Sequence, residues 1–229
     1  SHAEIDHLLG QLRAVDTPKH VVQTLERWHH EPVGARLERI GDQAKQLAKR
    51  LGKGDIEVSI RGEDVRLPRE RLAGFWASLA HVVRNAMDHG LEAPDQRAAV
   101  GKSPHGHFEV AVEESADAVR VMLSDDGAGI DWDKLKAKAR QAGLPDVGHD
   151  ALVDVLFTDG VSSRDDVSAV SGRGVGMGAV RGAAERLGAR IDVTSANGEG
   201  TTFTFSLPKR ALRADATGTE VTGTLDLSP

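Results

Sequence analysis

The ten residues His81–Gly90, which read HVVRNAMDHG, decide how this chain is interpreted. They close a segment from Pro68 to His89 in which apolar side chains recur every three or four positions, a pattern typical of one buried helix. Proline favours the first turn of a helix, and glycine favours the position just past its end. We therefore predict one unbroken helix that begins at Pro68 and ends before Gly90.

The polar residues of this helix form a ridge. His81, Asn85 and His89 are spaced i, i+4 and i+8, so an α-helix carries them on one face, flanked by Arg84 and Asp88. Ionisable and amide groups on a helix that is otherwise packed into a core are costly unless a ligand uses them. A solvated polar face is the alternative, and the helix alone does not decide between the two.

Composition excludes several classes of protein. The 229 residues suit one domain with extensions, and 29 basic against 35 acidic residues give a net charge of −6. This balance argues against a nucleic-acid-binding surface and against a polybasic membrane patch. Cysteine is absent, so disulfides and thiolate metal sites are excluded. No apolar run has the length of a membrane span and no signal peptide is visible, so we expect a cytoplasmic protein, or a piece of one, without membrane insertion.

Hydrophobic patterning divides the chain into three parts. Two apolar stripes in residues 1–31 predict short helices, which we interpret as a linker or as the dimerisation segment of a homodimer. Residues 32–208 form the main domain, and residues 209–229 are typical of a linker or tail. Within the main domain we predict helices at 33–51, 96–100, 131–142 and 149–156, and strands at 56–60, 108–112, 119–123, 191–193 and 203–207.

Glycine-rich motifs follow the central helix. The strand before Asp125 leads into Gly127 and Gly129, the run Gly172–Gly178 opens a helix, and Gly198-x-Gly200 begins the last strand. Each motif alone is weak, because turns are rich in glycine. Two other patterns fail: Gly101-Lys102-Ser103 lacks the first glycine of a P-loop, and GVGMGA follows a polar loop rather than the strand of a dinucleotide-binding unit.

In this order, the motifs resemble the ATP-binding fold shared by DNA gyrase, heat-shock chaperones, histidine kinases and mismatch-repair ATPases. More narrowly, His81–Gly90, its continuation to Lys102 and Ser171–Met177 resemble the CheA chemotaxis kinases, over residues 32–208. The resemblance implies an α+β, two-layer sandwich: a mixed, mostly antiparallel sheet with helices on one face and a mobile ATP lid. It further implies an ATP-dependent protein-histidine kinase that uses ATP and Mg²⁺. Its partners would be a histidine phosphotransfer domain, a response regulator, and a receptor or coupling protein.

The resemblance also assigns roles to single residues. Asn85 would hold Mg²⁺ on the triphosphate, which suits an ion bound by few protein oxygens plus phosphates. Asp125 would accept a hydrogen bond from the adenine amino group, and His81, where hydrolytic relatives have Glu, would accept a proton or orient the incoming imidazole. The other expected nucleotide contacts are Arg84, Asp88, His89, Gly127, Gly129, Ile130, Phe157, Ser162, Gly172, Arg173, Gly174, Val175, Gly176, Met177, Thr201 and Thr202.

The chain departs from the CheA pattern in the lid. Asp159 and Val161 stand where a Pro and a Phe are usual, and Gly178 stands where an Asp is expected. Two alternatives therefore stay open. A regulatory module would retain the fold without productive lid closure, and a stand-alone ATPase switch would release phosphate without an acceptor domain. The imidazole of His81 in place of Glu disfavours the ATPase switch.

Overall fold

The computed structural model of the chain describes residues 5, 8–12, 21, 30–158 and 176–212. Residues 5, 8–12 and 21 are helical, while the other residues of the helices expected in residues 1–31, and the tail beyond 212, fall outside these ranges. No helix in the described ranges is long and apolar enough to cross a membrane.

The described elements follow the predicted order of helices and strands, but two short strands, a π-helix and a short helix at Lys209–Leu212 were not expected. The last of these begins the segment that was predicted as a linker or tail. The described elements are β1 Glu31–Pro32, α1 Gly34–Arg50, β2 Glu57–Arg61, β3 Arg66–Leu67, α2 Ala73–Asn85, a π-helix at Ala86–Gly90, α3 Pro94–Ala99, β4 His107–Glu114, β5 Ala118–Asp125, α4 Trp132–Gln141, α5 His149–Leu156, α6 Met177–Arg186, β6 Arg190–Ala196, β7 Gly200–Pro208 and α7 Lys209–Leu212.

Within the described residues the main sheet has five strands in the order β2-β4-β5-β7-β6. Of these strand pairs only the edge pair β2–β4 is parallel, and the other three are antiparallel. A parallel pair requires a long crossover, which here contains α2 and α3. The mixed, mostly antiparallel sheet confirms the predicted fold class.

Helices cover one face of this sheet. Along β5, Val119, Val121 and Leu123 are buried while Arg120 between them is exposed, which is the alternation of a sheet with one solvated face. The buried side chains pack with apolar residues of α1, α2 and α6 into one core, and α7 adds Leu212 to it. The opposite face carries polar pairs such as Arg120 with Glu113. Two layers result, as predicted.

The predicted start of the central helix is wrong. Arg66–Leu67 pairs with Glu31–Pro32 as a small antiparallel ribbon, so the chain is still extended just before Pro68. Residues 69–72 then form a turn, and α2 begins at Ala73, whose N–H donates to the Glu70 carbonyl oxygen at 3.1 Å. The fixed φ of Pro68 suits the end of a strand as well as a first helical turn, so the residue alone did not distinguish the two.

The predicted end of that helix is also wrong, because the α-helix gives way to a π-helix after Asn85. The Leu91 N–H donates to the Ala86 carbonyl oxygen at 2.8 Å, a bond that spans five residues instead of four. Gly90 is the last residue of this widened turn rather than the residue past it. The predicted ridge therefore crosses from α-helix to π-helix between Asn85 and His89.

Candidate nucleotide-binding site

A cleft of about 370 Å³ lies where the π-helix, the ends of β5 and β7, and helices α4 and α6 meet. Seven of the expected nucleotide contacts line it: Asn85, His89, Asp125, Gly129, Ile130, Met177 and Thr201. The remaining lining residues are Ala86, Gly90, Asp131, Lys134, Leu135, Lys138, Leu156 and Phe203. The cleft is therefore apolar in its walls with a few polar groups, the usual character of a small-molecule site.

Asp125 is the most perturbed group of this cleft. The residue is only 6% exposed, and one carboxylate oxygen, Oδ1, accepts a hydrogen bond from the Gly127 N–H at 3.0 Å. Burial is the main reason that its pKa rises from 3.8 to about 7, and the nearby carboxylates of Asp126 and Glu92 act in the same direction. A buried carboxyl with a shifted pKa in a cleft is typical of a functional group.

Close backbone contacts explain why residues 127 and 129, in the turn after Asp125, are both glycine. A Cβ on Gly127 would lie 2.1 Å from the Gly90 carbonyl oxygen, which also accepts a hydrogen bond from the Ala128 N–H at 2.8 Å. Gly129 has φ +78°, and a Cβ there would lie 2.2 Å from the Ala196 carbonyl oxygen. The two glycines therefore let the turn fit between the π-helix and the end of β6.

Ser195 connects two elements that form one wall of the cleft. Its hydroxyl oxygen accepts a hydrogen bond from the Ile130 N–H and donates to the Gly200 carbonyl oxygen, both at 2.8 Å. Its own carbonyl oxygen accepts from the indole Nε1 of Trp132 at 3.1 Å. These contacts tie the start of α4 to the β6–β7 hairpin and fix Ile130 as an apolar surface beside Asp125.

Two lysines of α4 were missed by the sequence analysis. Asp131 caps this helix by accepting a hydrogen bond from the Lys134 N–H at 2.9 Å, and the next turns bring Lys134 and Lys138 to the cleft. Their i, i+4 spacing behind the Asp125 motif is the signal that could have found them. Two cations at the rim of a cleft favour an anionic ligand such as a polyphosphate.

Several expected contacts do not line the cleft. Thr202 lies on the opposite face of the sheet, where its hydroxyl group bonds the Ser124 hydroxyl group at 2.7 Å. This follows from the alternation of strand residues, since Thr201 faces the cleft. Phe157 is 2% exposed and packs edge-on against Phe203 in the core. Within the described part of the chain, Phe157 is therefore a core residue.

The other expected residues lie at the margins of the cleft or outside the described ranges. His81 is half-buried one turn before Asn85, Arg84 is exposed, and Asp88 is half-buried with its Oδ2 3.7 Å from His89 Nε2. Gly127 supports the cleft through the Asp125 bond. Gly176 occupies the N-cap of α6. Ser162, Gly172, Arg173, Gly174 and Val175, and the lid positions Asp159 and Val161, lie outside the described residues.

This fold and this cleft define the class of protein: a two-layer ATP-binding domain in which a buried carboxylate faces an asparagine-bearing helix. The family model described as "Histidine kinase-, DNA gyrase B-, and HSP90-like ATPase" matches residues 76–211. The chain belongs to this family, which confirms the resemblance found in the sequence.

Within that family the chain is a CheA-like ATP-binding domain. It is 41% identical over 170 residues to the chemotaxis protein CheA of Halobacterium salinarum, covering 72% of this chain and 25% of that protein. It is 35% identical over 182 residues to CheA of Rhizobium meliloti, covering 78% and 24%. The chain thus spans about a quarter of the length of these relatives. The histidine kinase domain of the Erythrobacter litoralis EL346 blue-light activated histidine kinase aligns with TM-score 0.48 and 20% identity, covering 92% of this chain and 98% of that one.

Proposed function

We propose that this chain is the catalytic ATP-binding part of a CheA-like histidine kinase. It would transfer the γ-phosphate of ATP to a histidine on a separate phosphotransfer domain, from which a response regulator takes it, in the cytoplasm. The observation that carries the proposal is the buried carboxyl of Asp125 in a cleft that Asn85 and two lysines also line. Residues 32–208 would form the catalytic unit, and residues 1–31 a linker or the dimerisation segment of a homodimer.

Asp125 is suited to recognise adenine by accepting a hydrogen bond. A carboxylate accepts the hydrogen bond that the exocyclic amino group of adenine donates, and the apolar walls at Ile130 and Phe203 are suited to cover the base. Guanine presents a carbonyl oxygen at the same position, which a carboxylate repels. Adenine in this position leaves the triphosphate to extend towards Asn85, Lys134 and Lys138.

Asn85 is suited to hold a magnesium ion that is bound mainly by phosphate oxygens. It offers one neutral amide oxygen at the cleft, and the described residues contain no group of three or more His, Asp or Glu side chains placed to bind a metal. A single protein ligand plus phosphates is a usual arrangement for Mg²⁺. When bound, the ion would neutralise charge on the transferring phosphoryl group.

His81 is the proposed catalytic base or orienting group. It lies one helical turn before Asn85 on α2 and is half-buried. An imidazole can accept a proton near neutral pH and can also hold an incoming histidine of the phosphotransfer domain in one tautomer. A Glu at this position would instead activate water, so the residue type favours transfer to an acceptor over hydrolysis.

The proposal is tested by calorimetric titration with a non-hydrolysable ATP analogue, with and without Mg²⁺. We expect wild type to bind more tightly with Mg²⁺, and Asn85→Ala to bind equally with and without it. Gln141→Ala, an exposed amide at the end of α4, is the control and should behave as wild type.

The transfer step is tested by incubating the chain with labelled ATP and a CheA-type phosphotransfer domain. Labelled histidine should form with wild type and decrease sharply with His81→Ala, while the affinity for the ATP analogue is unchanged. A folded chain that binds no nucleotide would overturn the proposal. Binding without any transfer would favour the regulatory module, and steady phosphate release without an acceptor would favour the ATPase switch.

A further inference from the structure

A buried arginine outside the cleft is bonded to the turn that carries Asp125. Arg97 is 1% exposed. Its Nε donates to the Ser103 carbonyl oxygen at 2.7 Å, and its Nη1 donates to Glu92 Oε2 at 3.0 Å and to the Asp126 carbonyl oxygen at 3.2 Å. Its Nη2 donates to Asp126 Oδ2 at 2.6 Å. A guanidinium is buried at this depth only when its donors are paired, so the geometry around it is closely defined.

Lys102 is bonded to the same turn. Its Nζ donates to Glu92 Oε1 at 2.8 Å, to the Asp126 carbonyl oxygen at 2.9 Å and to the Gly127 carbonyl oxygen at 2.7 Å. An ammonium group has three donors, and all three are used here. The remaining Asp126 carboxylate oxygen, Oδ1, accepts from the His107 N–H at 2.8 Å. Asp126 is therefore held through both its side chain and its backbone.

One peptide unit connects these cations to Asp125. The peptide between Asp126 and Gly127 is planar, with its carbonyl oxygen at one edge and the Gly127 N–H at the other. The carbonyl oxygen accepts from both Arg97 and Lys102, while the N–H donates to Asp125 Oδ1 at 3.0 Å. Cations on the oxygen fix the plane and polarise the N–H, which strengthens its bond to the carboxylate.

We propose that Arg97 and Lys102 are positioning residues for adenine recognition: by holding the Asp126–Gly127 peptide they set the direction in which Asp125 presents its carboxylate to the base. This inference rests on the proposed function, in which Asp125 recognises adenine. Neither cation lines the cleft, so both act on it only through the turn that carries Asp125. Paired buried charges often contribute little net stability compared with apolar residues, so we assign these two cations a geometric role.

The test uses Lys102→Met, which keeps the length of the side chain and removes the three donors. Adenosine, the ATP analogue and tripolyphosphate are titrated separately, so that the base end and the phosphate end are measured independently. We expect the affinity for adenosine and for the analogue to fall about tenfold, the scale of one charge-assisted hydrogen bond, with no change for tripolyphosphate. Lys102→Arg, which restores a cation and its donors, should recover most of the loss.

Lys209→Met is the matched control, because Lys209 also makes a partly buried ion pair, with Glu114 at 2.7 Å, at the other end of the sheet. It should bind all three ligands as wild type does. If wild type binds neither adenosine nor the ATP analogue, the proposed function fails and the positioning role fails with it. If wild type binds adenosine and Lys102→Met binds it equally well, the positioning role is overturned. An equal loss for tripolyphosphate, or no recovery with Lys102→Arg, also overturns it, since the effect would then be on folding.

Discussion

Replacing Asp125 with Asn should stabilise the chain and abolish adenine binding at the same time. The wild-type carboxyl is buried, and this burial is the largest effect that raises its pKa to about 7. Backbone hydrogen bonds from Gly127 and Thr201 oppose the rise only in part. An amide has nearly the same shape, keeps an oxygen that can accept from the Gly127 N–H, and has no charge to bury. It also presents a mixture of donor and acceptor to the base where a carboxylate presents only acceptors.

The stability gain depends on pH with a definite sign. The folded pKa lies above the unfolded value of 3.8, so the folded chain holds the proton more tightly, and wild type loses stability as the pH rises from 3.8 to about 7. Each pH unit within this window costs about 1.36 kcal/mol. The advantage of Asp125→Asn in free energy of unfolding should therefore grow by about 2–3 kcal/mol between pH 5 and pH 8.

Urea denaturation at both pH values measures this directly. Comparing the two pH values cancels every difference in contacts between the two side chains that does not depend on pH. Asp117→Asn is the matched control, since that carboxyl is exposed in the turn between β4 and β5 and has no burial to relieve. An advantage of Asp125→Asn that is equal at both pH values, or larger at pH 5, would refute the assignment of Asp125 as a buried carboxyl with a raised pKa.

Two further predictions follow from the margins of the cleft. Lys134→Met and Lys138→Met should each weaken binding of the ATP analogue about three- to tenfold, with less dependence on salt, and leave adenosine binding unchanged. Lys136→Met on the same helix is the control, and a loss of adenosine affinity would contradict a phosphate role. Gly129→Ala should reduce the free energy of unfolding by more than Gly143→Ala. Both glycines have a positive φ, which costs an alanine about 1–2 kcal/mol. Of the two, only Gly129 has a backbone oxygen within 4 Å of an added Cβ. Equal losses of stability in urea denaturation would contradict this prediction.

Local patterning predicted most of the fold. The α4 and α5 helices were expected at 131–142 and 149–156 and are observed at Trp132–Gln141 and His149–Leu156. The β4–β5 hairpin follows from strict alternation on either side of a short polar turn. These elements depend on side chains close to one another in sequence, so their periodicity is visible without any knowledge of the tertiary structure.

The errors have non-local causes or concern side-chain direction. The start of α2 depends on the pairing of β3 with β1, and the π-helix is a change in hydrogen bonding that composition does not record. No motif pointed to the two lysines of α4, Lys134 and Lys138. Thr202 was assigned to the cleft although its neighbour Thr201 faces the cleft, so that Thr202 must face the other side of the sheet. Arg97 was not singled out, because arginine is normally exposed and its partner Asp126 lies in a different segment of the chain.

The strand order also has a consequence for the order of folding. The β4–β5 and β6–β7 pairs are hairpins whose strands are close in the chain, so they can form early. The β5–β7 pair joins these hairpins across a long segment that contains α4, α5 and α6, with Asp125 opposite Thr201. Bringing the ends of that segment together costs chain entropy before any contact is gained. Because Asp125 and Thr201 both line the cleft, the cleft forms only when the two hairpins pair with each other. A bound nucleotide should therefore slow the unfolding of the chain, while nucleotide added during refolding should not accelerate the formation of either hairpin.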